Sequence, residues 1–558
     1  MTDKTTEGAP PARHSIFSPL SHSLFRRIWL ASLTSNLGLM VMGVGAAWAM
    51  TEMTNSPEMV ALVQASLMLP VALISAPAGA AADMFDRRVV SLIALTISFT
   101  GASAMTLLSW LGVLTPATLL AFGFLIGCGM ALMGPSWQAS VSEQVPADDL
   151  SSAVALNGIS WNLARSFGPA IGGAIVAAFG ATAAFANNAL FYVPLMIVLF
   201  LWRRERIASR LPPERIGRAV VSGVRYIAYS APIRIVLVRT MTTGVLGGSI
   251  LALMPVVARD LLNGDARDFG IMLGAFGVGA VAGALNVSNL SSQLGAERAI
   301  RLSALAMGVG VAIVAISHSK IVSGLALLVV GAGWTASVTL FNVGIQLVAP
   351  RWVSGRALAA FQASISGGVA VGAWLWGSTA KFAGVSNALL IAGLLLALSA
   401  VLGLWMRMPH VKGPTEEPRE ALEDPEVRLQ LTARSGPIVV EIEYRVEPKQ
   451  ARLFYALMQQ VQSSRQRNGA YGWSIARDIA DPELWTERYH CPTWLDYLRQ
   501  RNRPTDAERA LHLRALEFHI GPEPVRIRRM LERPVGSVRW KDETPDRALG
   551  GDAPIVGM

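Results

Sequence analysis

Cysteine is nearly absent. The 558-residue chain has two, Cys128 in an apolar run and Cys491 in a polar region, too few and too different in setting to form a disulfide framework. Charge is scarce too, at 15% of residues, and it is unevenly spread. No phosphate loop, Walker lysine or metal-ligand cluster occurs, which argues against an ATP-driven pump; no cofactor, metal or nucleic-acid partner is expected. Residues 1–25 (MTDKTTEGAPPARHSIFSPLSHSLF) lack the basic start, short apolar core and small-residue cleavage site of a secretory signal, and read as a cytoplasmic tail.

What the chain has in abundance is apolar sequence: 52% hydrophobic residues, mean hydropathy +0.43, in runs near or above the roughly 20 residues that cross a bilayer. Runs bounded by Pro, Gly, Asn and charge predict twelve helices, at 27–50, 58–81, 88–112, 115–141, 152–179, 182–202, 233–257, 268–291, 299–317, 321–348, 355–380 and 386–408. Of 48 basic and 38 acidic residues, only 25 and 15 precede Val411, so the net charge of +10 belongs to the membrane part. The last 148 residues are about 31% charged, a soluble composition. The expected fold class is an all-α polytopic membrane protein of twelve spans in two six-helix halves, followed by a small α+β domain. Its divisions are 1–25 tail, 26–202 first half, 203–232 cytoplasmic connecting loop, 233–410 second half, 411–434 linker, 435–535 soluble domain and 536–558 tail.

Thirteen basic residues between Arg87 and Arg356 fall in the even-numbered gaps, against Arg259, Arg267, Lys320 and Lys381 in the odd ones. This asymmetry places both termini and the 203–232 connection in the cytoplasm; the expected location is the plasma (bacterial inner) membrane. The halves resemble copies: a shift of 204 maps Gly79 on Gly283, Pro146 on Pro350, Ala153 on Ala357, Gly168 on Gly372 and Gly173 on Gly377. A 6+6 duplication about an axis along the membrane normal is a carrier architecture.

Two motifs stand out. Between the second and third spans, GAAADMFDRRVV (79–90) sets small residues beside an acid and a basic pair. The fifth span contains RSFGPAIGG (165–173), in which residues costly to a lone helix cluster. On a helical wheel Arg165, Gly172, Trp161, Asn162, Gly168, Asn157 and Ala164 share one arc of about 100°, with Ile159, Leu163, Phe167 and Ala170 across from it. Ala164, Gly168 and Gly172 at i, i+4, i+8 admit a close helix, and Pro169 permits a bend. Arg165, with Asn157, Trp161 and Asn162, either faces a central cavity and its cargo or satisfies loose carbonyls and acids nearby. Asn36, Gln64, Asn342, Gln346 and Gln362 are weaker candidates, suited to interhelical hydrogen bonds. No Asp, Glu or His lies near the centre of a span, which leaves Glu52, Asp83 and Glu143, near span ends, as candidates for proton coupling.

The first motif resembles the signature loop of the major facilitator superfamily, G-x-x-x-D-R-x-G-R-R. Gly79, Asp83, Arg87 and Arg88 match, while Met84 and Asp86 depart. The resemblance implies a gating latch there, and an asymmetric one, since the second half has Val287 where the acid would stand. GPAIGG resembles the motif of drug:proton antiporters, and 134–173 is similar to the transmembrane secretion effector branch, which includes the enterobactin exporter and macrolide efflux proteins. Residues 25–38, FRRIWLASLTSNLG, fit the same branch, although Leu39 stands where an acid often follows. The resemblance implies a non-enzymatic secondary exporter of a siderophore, drug or other amphipathic small molecule, working by alternating access with proton antiport. A lipid or lysolipid translocator shares the fold.

In the soluble part, 437–446 reads as a strand, 448–467 as an amphipathic helix, 471–480 and 484–491 as strands, 493–518 as helical and 524–531 as a strand. This β-α-β-β-α-β order is ferredoxin-like. It resembles the antibiotic-biosynthesis monooxygenase-like domain, which implies dimerisation and leaves open a membrane-tethered monooxygenase or ligand sensor. Trp473, Trp485, His490 and Trp494 form either a ligand pocket or a packed core.

Overall fold

The computed structural model describes residues 17–202, 216–409, 427–502 and 505–532. The arginines of 203–215, most of the 411–434 linker, the 536–558 tail and the side chain of Asp83 lie outside the described residues. Among the described residues, eleven helices are long and apolar enough to cross a membrane. They are α1 (Ser23–Met53), α2 (Pro57–Met84), α3 (Arg87–Trp110), α4 (Pro116–Ser140), α5 (Leu150–Leu201), α7 (Ala231–Val256, continued by a π-helical turn Val257–Leu261), α8 (Ala266–Leu294), α9 (Ala296–Ile316), α10 (Lys320–Val348), α11 (Arg351–Ala383) and α12 (Val385–Leu398), which runs on through a 3-10 turn into α13 (Leu402–Trp405).

Eleven and the expected twelve reconcile at Gly180. α5 is 52 residues long, about 78 Å at the helical rise and more than twice the hydrocarbon thickness. Gly180 interrupts it at φ 77°, ψ 172°, a backbone region open essentially to glycine alone, so α5 comprises two spans joined at this kink. Helix starts follow local chemistry. Asp86 caps α3 by accepting from the Arg88 amide at 3.0 Å, and reciprocal capping boxes open α4 (Thr115 with Thr118) and α8 (Asp265 with Asp268).

The chain forms two compact units. The first holds nearly all of the long helices, α1–α5 as one half and the spans from α7 to α12 as the other. The second holds residues 214–234, the turn 344–358 between α10 and α11, and the chain beyond Pro409. Inside the second unit the connection expected to be a loop contains α6 (Ile216–Tyr229), which packs on α14 (Ala451–Arg467). Arginines every few residues obscured an apolar series, Val220, Val221, Val224 and Ile227, at helical spacing.

The soluble part of this unit is a four-stranded sheet in the order β2-β3-β1-β4, built from β1 (Ile438–Arg445), β2 (Tyr471–Arg477), β3 (Leu484–Cys491) and β4 (Arg526–Leu531), with every pair antiparallel. With α14 after β1, and α15 (Trp494–Asn502) and α16 (Asp506–Glu517) after β3, the element order is the expected ferredoxin-like one. Period-2 alternation turns Ile438, Val440, Ile442 and Tyr444 of β1 inward with Trp485 and Tyr489 of β3, against Phe454, Leu457 and Met458 of α14.

The same alternation carries Glu487 into that core, fully buried. Its two oxygens accept from Arg465 (3.1 and 3.4 Å), Trp473 Nε1 (3.0 Å) and the Tyr444 hydroxyl (3.2 Å), the partnering that a buried carboxylate requires. Burial, reinforced by the Glu487 carboxylate, holds the Tyr444 hydroxyl well above its ordinary pKa, so it stays a donor. Burial, with Arg465 and Arg467 nearby, lowers the pKa of His512 to about 3.

Two outcomes are expected. Gly180→Val places a β-branched residue in a glycine-only conformation and should destabilise the full chain by about 1–3 kcal/mol; an unchanged melting curve in detergent would contradict the bend. His512 takes up a proton in the unfolded state below about pH 6.5 but in the folded state only near 3, so its contribution to stability is complete above pH 6.5 and falls as pH drops toward 3. Between pH 7 and 5 the soluble domain of a His512→Gln variant should lose less stability than wild type, by up to about 1.4 kcal/mol per pH unit, measured by pulse proteolysis of the full chain. Equal losses would refute the assignment.

Candidate functional site

The candidate site is the seam along α5. An added β-carbon at Gly168 would lie 2.5 Å from Met40 Cβ, and one at Gly172 would lie 3.0 Å from Val41 Cα, so these two glycines let α5 press against the backbone of α1. Gly173 faces the other way: its β-carbon would meet Gly270 Cα of α8 at 2.8 Å, and the Pro169 carbonyl lies 2.6 Å from the corresponding position on Gly270. Ser166 continues this contact, its hydroxyl donating to the Gly277 carbonyl at 3.2 Å. The motif thus packs α5 between the first half's α1 and the second half's α8. Ala164 is fully buried on the same seam.

The polar candidates spread over this region. Arg165, half-buried, sets its guanidinium carbon 5.4 Å from the ring centre of Phe276 on α8, a cation–π distance that ties the two halves. Asn36 of α1 donates to the Ser160 hydroxyl at 3.4 Å, an interhelical contact within the first half. Asn162 donates to the Gly158 carbonyl one turn back, at 2.9 Å, so its amide is used within α5. Asn157 is half-buried with its amide nitrogen shielded, Trp161 is 40% exposed, and Gln64 is half-buried on α2. In the second half Gln362 donates to Ser366 at 3.2 Å, along α11.

The ends of the bundle differ. Where the α1–α2, α7–α8 and α11–α12 turns lie, contacts join the halves. Lys381 of α11 pairs with Glu58 of α2 at 2.9 Å, and Ser378 donates to the same carboxylate at 3.4 Å. Arg259 donates to the Thr51 and Thr54 carbonyls that α1 leaves open at its C-terminal end, at 2.8 and 3.3 Å. Trp48 stacks on Phe269 with ring centres 6.4 Å apart, and its indole nitrogen donates to Glu52 at 2.8 Å.

At the opposite end ion pairs brace each half internally. Arg87 bonds Glu143 at 2.8 Å, and Arg88 donates to the Phe200 carbonyl. His22 meets Asp149 at 2.8 Å. In the second half, where no acid stands at Val287, Arg239 binds Glu297 at 2.6 Å, the Met408 amide donates to the same carboxylate at 2.9 Å, and the Arg239 guanidinium carbon lies 5.8 Å from the Phe341 ring centre. A β-carbon at Gly79 would meet open space.

Sequence reasoning missed Glu58 with Lys381, and Arg259 on α1. A pair 323 positions apart leaves no local trace. A signal existed nonetheless: Arg259, Lys320 and Lys381 are three of the four basic residues that break the charge asymmetry, and each has a partner, Lys320 on Asp268 at 2.6 Å.

In the soluble domain Trp473, Trp485 and Trp494 belong to or pack on the core, with Phe454 edge-on to Trp485 and Tyr497 beside Trp494. His490 lies on the other face of the sheet, 5.4 Å from the Tyr471 ring. These four side chains therefore do not converge. Among the described residues, no group of three or more His, Cys, Asp or Glu is placed to hold a metal.

Comparison with known proteins agrees with this architecture. The profile of the transmembrane secretion effector family matches residues 14–535. The multidrug efflux pump Tap of Mycolicibacterium fortuitum is 22% identical over 389 residues, covering 68% of this chain and 94% of the relative. The staphyloferrin A transporter of Staphylococcus aureus is 23% identical over 279 residues, covering 49% and 69%. Among solved structures, a mutant form of the nucleoside transporter NupG superposes with a TM-score of 0.58 at 13% identity, over 69% of this chain and 100% of its own. An inward-facing bacterial homologue of the human lysosomal transporter Spinster gives 0.55 at 12% identity, over 72% and 98%. These likenesses establish the fold. The chain is a membrane transporter of the major facilitator type and belongs to the transmembrane secretion effector family.

Proposed function

We propose that the protein is a secondary exporter of a small amphipathic or chelating molecule, moved by alternating access and coupled to proton antiport. The carrying observation is that Glu58–Lys381 and Arg259 on the α1 carbonyls join the halves at one end, which the buried glycine seam of α5 leaves free to hinge. With the basic turns on the cytoplasmic side, the joined end is the outer one, so we read the carrier as closed on that side. The α5 seam acts as the pivot, because glycine contacts on both faces let α1 and α8 shift against it without parting. The class of cargo follows the relatives, a multidrug efflux pump and a staphyloferrin A transporter.

Arg165 is assigned to the cavity wall, where a cation at mid-span contacts an anionic or polar group of the cargo; Asn157, Trp161, Asn36 and Gln64 complete that wall. Gly79, Asp83, Arg87 and Arg88 form the inner gating loop. Glu52, Asp83 and Glu143 are the proposed proton carriers, and Glu58 joins them because losing its charge would release Lys381. The soluble domain is read as a dimerising or regulatory module and not as an enzyme, since three of its four candidate pocket residues are spent on packing.

The test is efflux from inverted vesicles, with and without a pH gradient, across siderophores, macrolides and lysolipids. Gradient-dependent movement of a siderophore or macrolide is expected; movement of lysolipid alone would favour the translocator, and efflux indifferent to the gradient would refute antiport. Arg165→Ala should lower transport at least tenfold while still reaching the membrane, and Phe276→Leu, which removes only the ring partner, should retain most of it. Equal losses from both would make Arg165 a packing residue.

A further inference from the structure

Helix α6 has two unlike faces. Gly223, Tyr226 and Ser230, at i, i+3, i+7, are buried on one side within the second unit. A β-carbon on Gly223 would lie 2.5 Å from the Arg356 side chain, and Arg225 reaches to 3.1 Å from the β-carbon position of Gly469, at the end of α14. Burial, with the Glu508 carboxylate nearby, raises the pKa of the Tyr226 hydroxyl. The opposite side carries Val221, Val224 and Ala228, also at i, i+3, i+7, with the two valines 61% and 59% exposed. The buried side packs against the start of α11 and the soluble domain, and the exposed side is an apolar stripe.

We infer that this stripe lies in the bilayer, at the headgroup–acyl boundary of the leaflet where α7 begins, so that α6 holds the soluble domain against the membrane surface. Three observations select lipid as the occupant. One residue, Ser230, separates the end of α6 at Tyr229 from the start of the membrane-length helix α7 at Ala231, which leaves the stripe within a few residues of the interface. Tyr229, 49% exposed, and the exposed Arg234 flank it, the aromatic and cationic side chains that settle at headgroup level. Finally, the 203–232 connection has seven arginines against two glutamates, a charge balance complementary to an anionic leaflet. An amphipathic helix with this composition lies in the interface plane and does not cross it.

The test uses the full chain in phosphatidylglycerol-containing liposomes. Cys128 and Cys491 are replaced by serine, and a nitroxide is placed singly at Val221→Cys, Val224→Cys or Ala228→Cys, with Ile479→Cys, fully exposed in the soluble domain, as the water-facing reference. Collision with oxygen should exceed collision with a water-soluble nickel chelate severalfold at the three stripe positions, and the ratio should invert at 479. Nickel accessibility at the stripe equal to that at 479 would mean that water covers it. Low accessibility to both reagents would mean that protein does, a second copy included. Either result overturns the inference. Each labelled position stands alone, so one variant that fails to fold leaves the other two decisive.

Discussion

The close approach of α5 to α1 on one side and to α8 on the other is the contact on which the rest of the bundle depends. In hydrocarbon there is no hydrophobic gain from bringing helices together, so association rests on van der Waals fit and on polar groups that find partners inside the protein. Gly168 and Gly172 supply the fit toward Met40 and Val41, and Gly173 supplies it toward Gly270. With the backbones this close, the Ser166–Gly277 bond forms and Arg165 comes within cation–π range of Phe276. A bulkier residue at Gly168 or Gly172 would push α5 off α1 within the first half, and one at Gly173 would push apart the two halves. The residues that look most costly in isolation are therefore the ones that allow the halves to meet.

Charge placement follows the same logic. The ion pairs sit at the ends of helices, where water or a loose backbone carbonyl shares the cost of desolvation. Arg259 fills the open carbonyls at the end of α1, Glu58 meets Lys381 across the halves, and Arg239 is nearly buried yet held by Glu297 and the Met406 carbonyl. Exposed pairs of the Glu58–Lys381 kind are weak, which suits contacts that would break and reform in the proposed cycle. The deeply buried Glu487–Arg465 pair of the soluble domain has the opposite character, because removing either partner would strand a charge in the core.

Much of this was legible in the sequence, and the misses have physical reasons. Length and apolar character marked the spans, and alternation marked the strands of the soluble domain, because both signals are local. Gly180 was visible as a gap between two runs, though not as a positive-φ bend inside a continuous helix. α6 was obscured because a loop-like density of arginines overlies its apolar series. The wheel put Asn162 on the same arc as Arg165, and the structure spends its amide on Gly158, a choice between local and long-range bonding that periodicity cannot decide. Glu487 sits in the inward register with Trp485 and Tyr489, so its position could have been read from the strand, while its partners Arg465 and Trp473 come from other elements.

We propose that the Glu58–Lys381 end, joined in this structure, opens while the other end closes as cargo moves. Double electron–electron resonance on the full chain in liposomes tests it directly, with nitroxide pairs at the exposed positions Met53 and Phe382 at the joined end, and Phe85 and Leu294 at the other. The account predicts that a transported substrate with a pH gradient lengthens the first distance and shortens the second. Distances that stay fixed, or that move together in the same direction, would contradict it.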